Sequence, residues 1–209
     1  MRLYILMACL GMLVGHRCLS QQTKPPNQLM IAWDAAIPTN PDFLTKMSFA
    51  GWRIEYRHFV KSNISVGIGI SRNYFSQYFE SQQYTTRDES MTMTTDMQRE
   101  IVTVPITVNG YYHFKSRRDT KPYVGLGLGA QYSDQTAYFN IYVIREKNWG
   151  FVARPEIGIV LTSEERLGSY FGLAYNYATN QNEAFRINSL QHVSVTVGMF
   201  FFMRSNRKR

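Results

Sequence analysis

The residues able to do acid–base or electrostatic chemistry in this chain recur at a spacing of two. Arg53, Glu55 and Arg57 alternate with Trp52, Ile54 and Tyr56; Arg154 and Glu156 stand two apart further on, and Asp34 lies between Trp33 and Ala35. On an extended strand that spacing sends charges to one face and apolar side chains to the other. Enclosed together, three arginines and three carboxylates would have to pair, and paired they would fill a narrow interior. The remaining candidates are weaker. His192 and Ser194 share a strand face as base and hydroxyl, but side chains two apart on a strand stand ~7 Å apart, beyond a direct hydrogen bond. His113 shares the polar face of its strand, and His58 falls on an apolar one. Gly125-Leu126-Gly127-Leu128-Gly129 departs from the dinucleotide-binding spacing and no helix pattern follows it. These residues assign no catalytic centre, no cofactor and no metal.

The elements that position the charges are long strands. In Arg99–Phe114, Val102, Val104, Ile106, Val108, Tyr112 and Phe114 lie on one face, against Thr103, Thr107, Asn109 and His113. The same period of two recurs over 29–37, 49–60, 64–72, 122–132, 149–161, 170–177 and 190–203, which makes eight strands. Pro105 and Pro155 interrupt two of them and predict a bulge or a locally unpaired site, since proline donates nothing to a ladder. The connections alternate: 38–48, 73–98, 133–148 and 178–189 are long, whereas 61–63, 115–121 and 162–169 are short. An even number of strands with long and short connections on opposite ends describes an up-and-down barrel.

Alternation fits two orientations. A soluble lipocalin-like barrel would turn its apolar faces inward around a ligand; a membrane barrel turns them outward. Gly67, Gly69, Gly125, Gly127 and Gly129 share faces with the charges, and glycine there makes room inside a narrow barrel while weakening a solvated surface. The outward reading is therefore favoured. It puts Trp33, Trp52, Tyr56, Tyr112, Phe114, Phe151, Tyr175 and Phe201 against lipid, with Asp34, Arg53, Glu55, Arg57, Arg154 and Glu156 in the lumen. His113 would face inward at the periplasmic end, His192 inward near the outer end, and His58 lipid near the periplasmic rim.

The N-terminus is consistent with export. Met1-Arg2 precedes an apolar run, Leu3–Gly15, too short for a spanning helix, and Cys18 and Ser20 supply small residues for cleavage before Gln21. The expected organisation is a cleaved signal peptide at 1–20, a short periplasmic leader at 21–28, a barrel at 29–203 and a basic periplasmic tail at 204–209. An acylated Cys18 is the alternative, against which His16 and Arg17 stand where small residues belong. Both cysteines precede the cleavage point, so the mature chain would have no disulfide and no thiol chemistry. The whole chain carries 23 basic and 15 acidic residues; without Arg2 and Arg17, 21 basic residues remain, for a net charge of +6. Mean hydropathy is −0.28, which an alternating barrel shares with a soluble protein.

Ala50-Gly51-Trp52-Arg53, ISVGIGI, IVTVPITVNGYYHF and KPYVGLGLGA, taken in order after a signal peptide, resemble the outer membrane protein beta-barrel domain family. Its members are small barrels of the OmpA-transmembrane and OmpX kind, and this version is similar to those common in Bacteroidetes. The resemblance covers about 29–203. It implies an all-β, eight-stranded antiparallel transmembrane barrel in the bacterial outer membrane, inserted by the barrel-assembly machinery, touching lipid and lipopolysaccharide and not nucleic acid. Such a protein would be structural or would interact through its outer loops, without catalysis; a narrow channel for ions or small solutes is the first alternative. Loop 73–98, with Tyr78, Glu80, Tyr84, Asp88 and Glu89, is the expected recognition loop, its carboxylates offering loose contacts to divalent cations that bridge lipopolysaccharide. In one departure, Phe200-Phe201-Phe202 is followed by Met203 and six tail residues, so the aromatic that ends such chains is internal.

Overall fold

The computed structural model describes residues 27–40, 44–85, 92–116, 120–139, 142–162, 167–182 and 187–203. The proposed signal peptide, most of the leader and the basic tail lie outside these residues. Eight strands follow in chain order: β1 (Asn27–Pro38), β2 (Ser48–Lys61), β3 (Ile64–Thr85), β4 (Thr92–His113), β5 (Thr120–Phe139), β6 (Tyr142–Thr162), β7 (Leu167–Ala178) and β8 (Leu190–Met203). Each pairs antiparallel with the next and β1 pairs with β8, so the ring is closed. β1 begins two residues inside the stretch read as leader.

The stagger follows from the pairing. From Leu29 the ladder runs through Tyr56, Ile68, Val108, Leu128, Ala153, Tyr177 and Gln191. It returns to β1 where the Thr39 amide donates to the Gln191 carbonyl at 3.0 Å. That is 39 − 29, or ten residues further along, and it tilts the strands by roughly 40°. An eight-stranded ring this wide is filled by side chains.

Polarity is inverted relative to a soluble domain. Val108 is 65% exposed and Ile68 56%, whereas Arg57 is 0% and Glu55 1% exposed. The apolar faces point out, so the lipocalin-like alternative, which needs them around a cavity, is not the architecture formed.

Two sequence expectations are corrected. Residues 73–98 and 133–148 are not loops: β3 and β4 pair from Tyr74↔Val102 to Thr85↔Thr92, and β5 and β6 from Asp134↔Lys147 to Phe139↔Tyr142. Beyond the apolar belt the polarity turns over: Phe75, Phe79, Met97, Ala137 and Phe139 face inward while Tyr78, Glu80 and Gln98 face water, so the outward apolar alternation by which strands are recognised breaks while pairing continues. The asymmetry between the two ends thus lies in strand length: β3 to β6 have 20–22 residues, and β1, β2, β7 and β8 have 12–14. At the prolines the second expected outcome holds, a locally unpaired site without a bulge. Pro105 pairs in register with Gln131, and Pro155 with Leu126. On their other sides the ladder skips Ser71–Arg72 opposite Val104–Pro105, and Asn176–Tyr175 opposite Arg154–Pro155, resuming without a shift. The register shifts lie elsewhere, between Asp34 and Ala36, Phe59 and Lys61, and Phe79 and Gln82. The first tucks Ala35, expected on the outer face, out of solvent.

Candidate functional site

The six charges expected inside form one chain of alternating sign. Arg57 Nη2 lies 3.1 Å from Glu55 Oε1, and Glu55 Oε2 is 2.6 Å from Arg53 Nη2. Arg53 Nη1 then reaches Glu156 Oε2 at 3.4 Å; Glu156 meets Arg154 Nε at 3.4 Å, and Arg154 Nη2 approaches Asp34 at 3.6 Å. Alternation on β2 aims Arg53, Glu55 and Arg57 inward together, but Arg53 meets Glu156, and Arg154 meets Asp34, only because the ring closes through β1 and β6.

Buried charge needs hydrogen bonds as well as opposite charge. Tyr111 donates to Glu55 at 2.9 Å, Tyr123 to Glu156 at 2.6 Å, and Thr196 to Asp34 at 2.6 Å. Asn73 donates to the second oxygen of Asp34 at 3.1 Å. The Arg57 guanidinium stacks 3.6 Å over the Tyr111 ring. Room for these long side chains comes from bare backbone on the inner face: a Cβ on Gly172 would stand 3.0 Å from the Tyr123 hydroxyl and 3.2 Å from Glu156. The sequence reading passed over Tyr111, Tyr123, Thr196 and Asn73. Their signal was parity, since Tyr111 shares a face with His113 and Thr196 with His192.

Apolar layers close the lumen at both ends of this chain. Towards the ends of β4 and β5 nearest the 114–119 turn, Met30, Tyr111, Tyr123, Tyr170 and Phe200 form a floor. Towards the opposite mouth, Phe75, Ile101, Val152 and Leu190 meet Leu44 and Ile187, which connecting segments carry inward. The segment after β7 is tied down by its asparagines. Asn180 Nδ2 donates to the Gln131 carbonyl at 3.1 Å and to Asn148 Oδ1 at 2.7 Å, and Asn182 donates to Gln135 at 3.0 Å.

The candidate histidine pair does not form. Ser194 accepts from Asn176 at 3.1 Å, and His192 sits edge-on to Phe75, ring centroids 5.4 Å apart. The structure instead joins Ser65 to His113 Nε2 at 2.9 Å. The register linking β3 to β4, which the unread extensions concealed, was needed to see that contact. Ser65 is wholly buried. His58 points outward and meets Asn27 Oδ1 at 2.6 Å.

Trp33, Trp52, Tyr56, Tyr112, Phe114, Phe151, Tyr175 and Phe201 all stand exposed on the outer wall. Of the residues expected to make a recognition loop, Tyr78, Glu80 and Tyr84 belong to β3, and Asp88 and Glu89 lie outside the described residues. Tyr78 donates to Asp96 at 3.0 Å, which raises the phenol's pKa above its ordinary value. On the β5–β6 extension Arg145 pairs with Asp134. Its hydrogen bonds hold the Asp134 carboxyl below the usual carboxylate range. No group of three metal-ligating side chains occurs among the described residues.

No family model and no curated protein matches the chain. Solved structures share its fold. Neisserial surface protein A is similar at 13% identity, covering 85% of this chain and 96% of its own, with a TM-score of 0.52. The outer membrane protein OprG from Pseudomonas aeruginosa is similar at 11% identity, over 88% of this chain and 99% of its own, with a TM-score of 0.51. Both are likenesses of fold: a small closed barrel of the outer-membrane type.

Proposed function

We propose that this chain is an integral protein of the bacterial outer membrane, resembling small barrels of the OmpA-transmembrane and OmpX kind in the form common in Bacteroidetes. One observation carries the reading: the wall exposes its branched aliphatic side chains while the six charges are enclosed. In water that arrangement strands apolar surface far beyond the few hundred Å² a soluble monomer tolerates. In a bilayer a closed ring pairs the strand backbone, the skipped pairs beside Pro105 and Pro155 apart, and gives lipid an apolar belt. Lipid and lipopolysaccharide are then its surroundings, and the barrel-assembly machinery its route in.

The lumen acts as a plug that holds the wall together. Its charges pair and apolar layers lie beyond them on both sides, which supports a structural, non-catalytic interior. Contacts with other molecules fall to the extended β3–β6 strands and the segments that join them, where Tyr78 and Glu80 stand exposed.

The test is electrophoresis of the outer-membrane fraction, unheated and boiled. The expected result is faster migration without heating, from a barrel that SDS does not unfold. Recovery in the soluble fraction without a heat shift would overturn the reading. Reconstituted protein is expected to leave a planar bilayer silent; discrete conductance steps would replace the plug with the narrow-channel alternative.

A further inference from the structure

Two side chains carried by connecting segments shut the outer mouth, and each hangs on a few bonds. Leu44 and Ile187, both buried, complete the apolar layer of Phe75, Ile101, Val152 and Leu190. Gln77 on β3 holds the first segment. Its Oε1 accepts from the Thr45 and Lys46 amides at 2.8 and 3.2 Å, and its Nε2 donates to Thr45 Oγ1 at 2.9 Å. An isolated bridge holds the second, Asn182 and Ile187 exchanging backbone bonds at 2.8 and 2.9 Å. All of these bonds join uncharged groups, and those of Gln77 stand exposed to water.

Beneath this layer His192 is shut off from solvent. It lies two residues past Leu190 on the inner face of β8, buried and edge-on to Phe75. Among the described residues neither of its ring nitrogens has a hydrogen-bond partner. From β1 it faces Asp34 and from β6 Arg154; β3 and β7 present Phe75 and Asn176, neither of which titrates. Asp34 has no oxygen to spare, since Thr196 donates to one and Asn73 to the other, with Arg154 3.6 Å away. A neutral imidazole can remain in that place. An imidazolium would be a fourth cation against three carboxylates, buried without a partner, which a protein interior disfavours strongly.

We propose that the outer mouth is an acid-sensitive cap: when His192 takes a proton, Leu44 and Ile187 swing out and the imidazolium meets water. The closed mouth then binds one proton fewer than the open one. Closure is therefore complete above the ordinary histidine value of about 6.5, and below it the ratio of closed to open mouths falls about tenfold for each pH unit. The strands of the wall, whose ladder bonds carry no titratable group, stay paired.

The test is hydrogen exchange read by NMR on the whole chain in nanodiscs, about one pH unit above and about one below the ordinary histidine value. Rates are corrected for the intrinsic pH dependence of amide exchange. The amides of Thr45, Lys46, Asn182 and Ile187 are all bonded in the closed mouth. They are expected to lose protection by on the order of tenfold at the lower pH, while amides in the paired middle of β4 and β5 keep theirs. His192→Gln should hold the four mouth amides at the same protection at both pH values. His192→Phe serves the same end should the first variant fail to fold, and the heat shift scores folding in each. Equal protection of the mouth at the two pH values in the wild-type chain, or a loss that persists without the histidine, would overturn the proposal.

Discussion

Glu55 is the residue on which the interior turns, because both of its oxygens are taken by arginines, Arg57 on one and Arg53 on the other. Glu55→Gln keeps the shape but leaves two cations facing each other without their shared anion. Removing one partner of a buried pair costs about 3–5 kcal/mol, so the urea midpoint for unfolding from vesicles should fall accordingly; an unchanged midpoint would mean that water already screens the lumen. Asp134 makes the opposite case outside the wall. Its folded pKa is lowered by Arg145, so whatever stability the pair gives is present above the ordinary carboxylate value near 4. It disappears as pH falls through the lowered value. A carboxyl titration by NMR should find Asp134 below that range, and Arg145→Gln should return it there. Residue types and parity made all six lumen charges legible in the sequence. Which carboxylate meets which arginine was not, since those contacts depend on the stagger around the ring.

At the scale of the strand, alternation was readable wherever one face met hydrocarbon and the other the lumen. It failed above the belt, where the contrast is inverted, with Tyr78, Glu80 and Asp96 facing water and Phe75, Phe79 and Met97 facing inward, and so the extensions of β3 to β6 read as loops. Leu44 and Ile187 were missed for a related reason: single apolar residues in connecting segments carry no period. The prolines give an element-scale prediction. Pro155 keeps register with β5 and loses pairing towards β7, which places its missing donor on the β7 side. Pro155→Val should restore a ladder bond and raise stability by about 0.5–1.5 kcal/mol. Hydrogen exchange would show the amide introduced by this substitution protected, and an amide exchanging like those of the turns would refute this account of the gap.

For the whole molecule, the inversion of polarity makes the two faces of one strand respond oppositely to the same chemistry. Val108 faces out, near the middle of the apolar belt, and its neighbours in sequence, Thr107 and Asn109, face in. Val108→Arg should cost about 2–4 kcal/mol in a bilayer, the penalty for a cation at mid-depth on a lipid face, measured by urea unfolding from vesicles. A negligible penalty there would place Val108 against water. The alternating chain Arg57–Glu55–Arg53–Glu156–Arg154–Asp34 carries one further consequence. Each elementary charge moved across a membrane exchanges about 2.3 kcal/mol with every 100 mV of potential, but three positive and three negative side chains moved together exchange nothing. An electric field across the envelope therefore has no net handle on the interior, and a voltage ramp should neither expel nor reseat it.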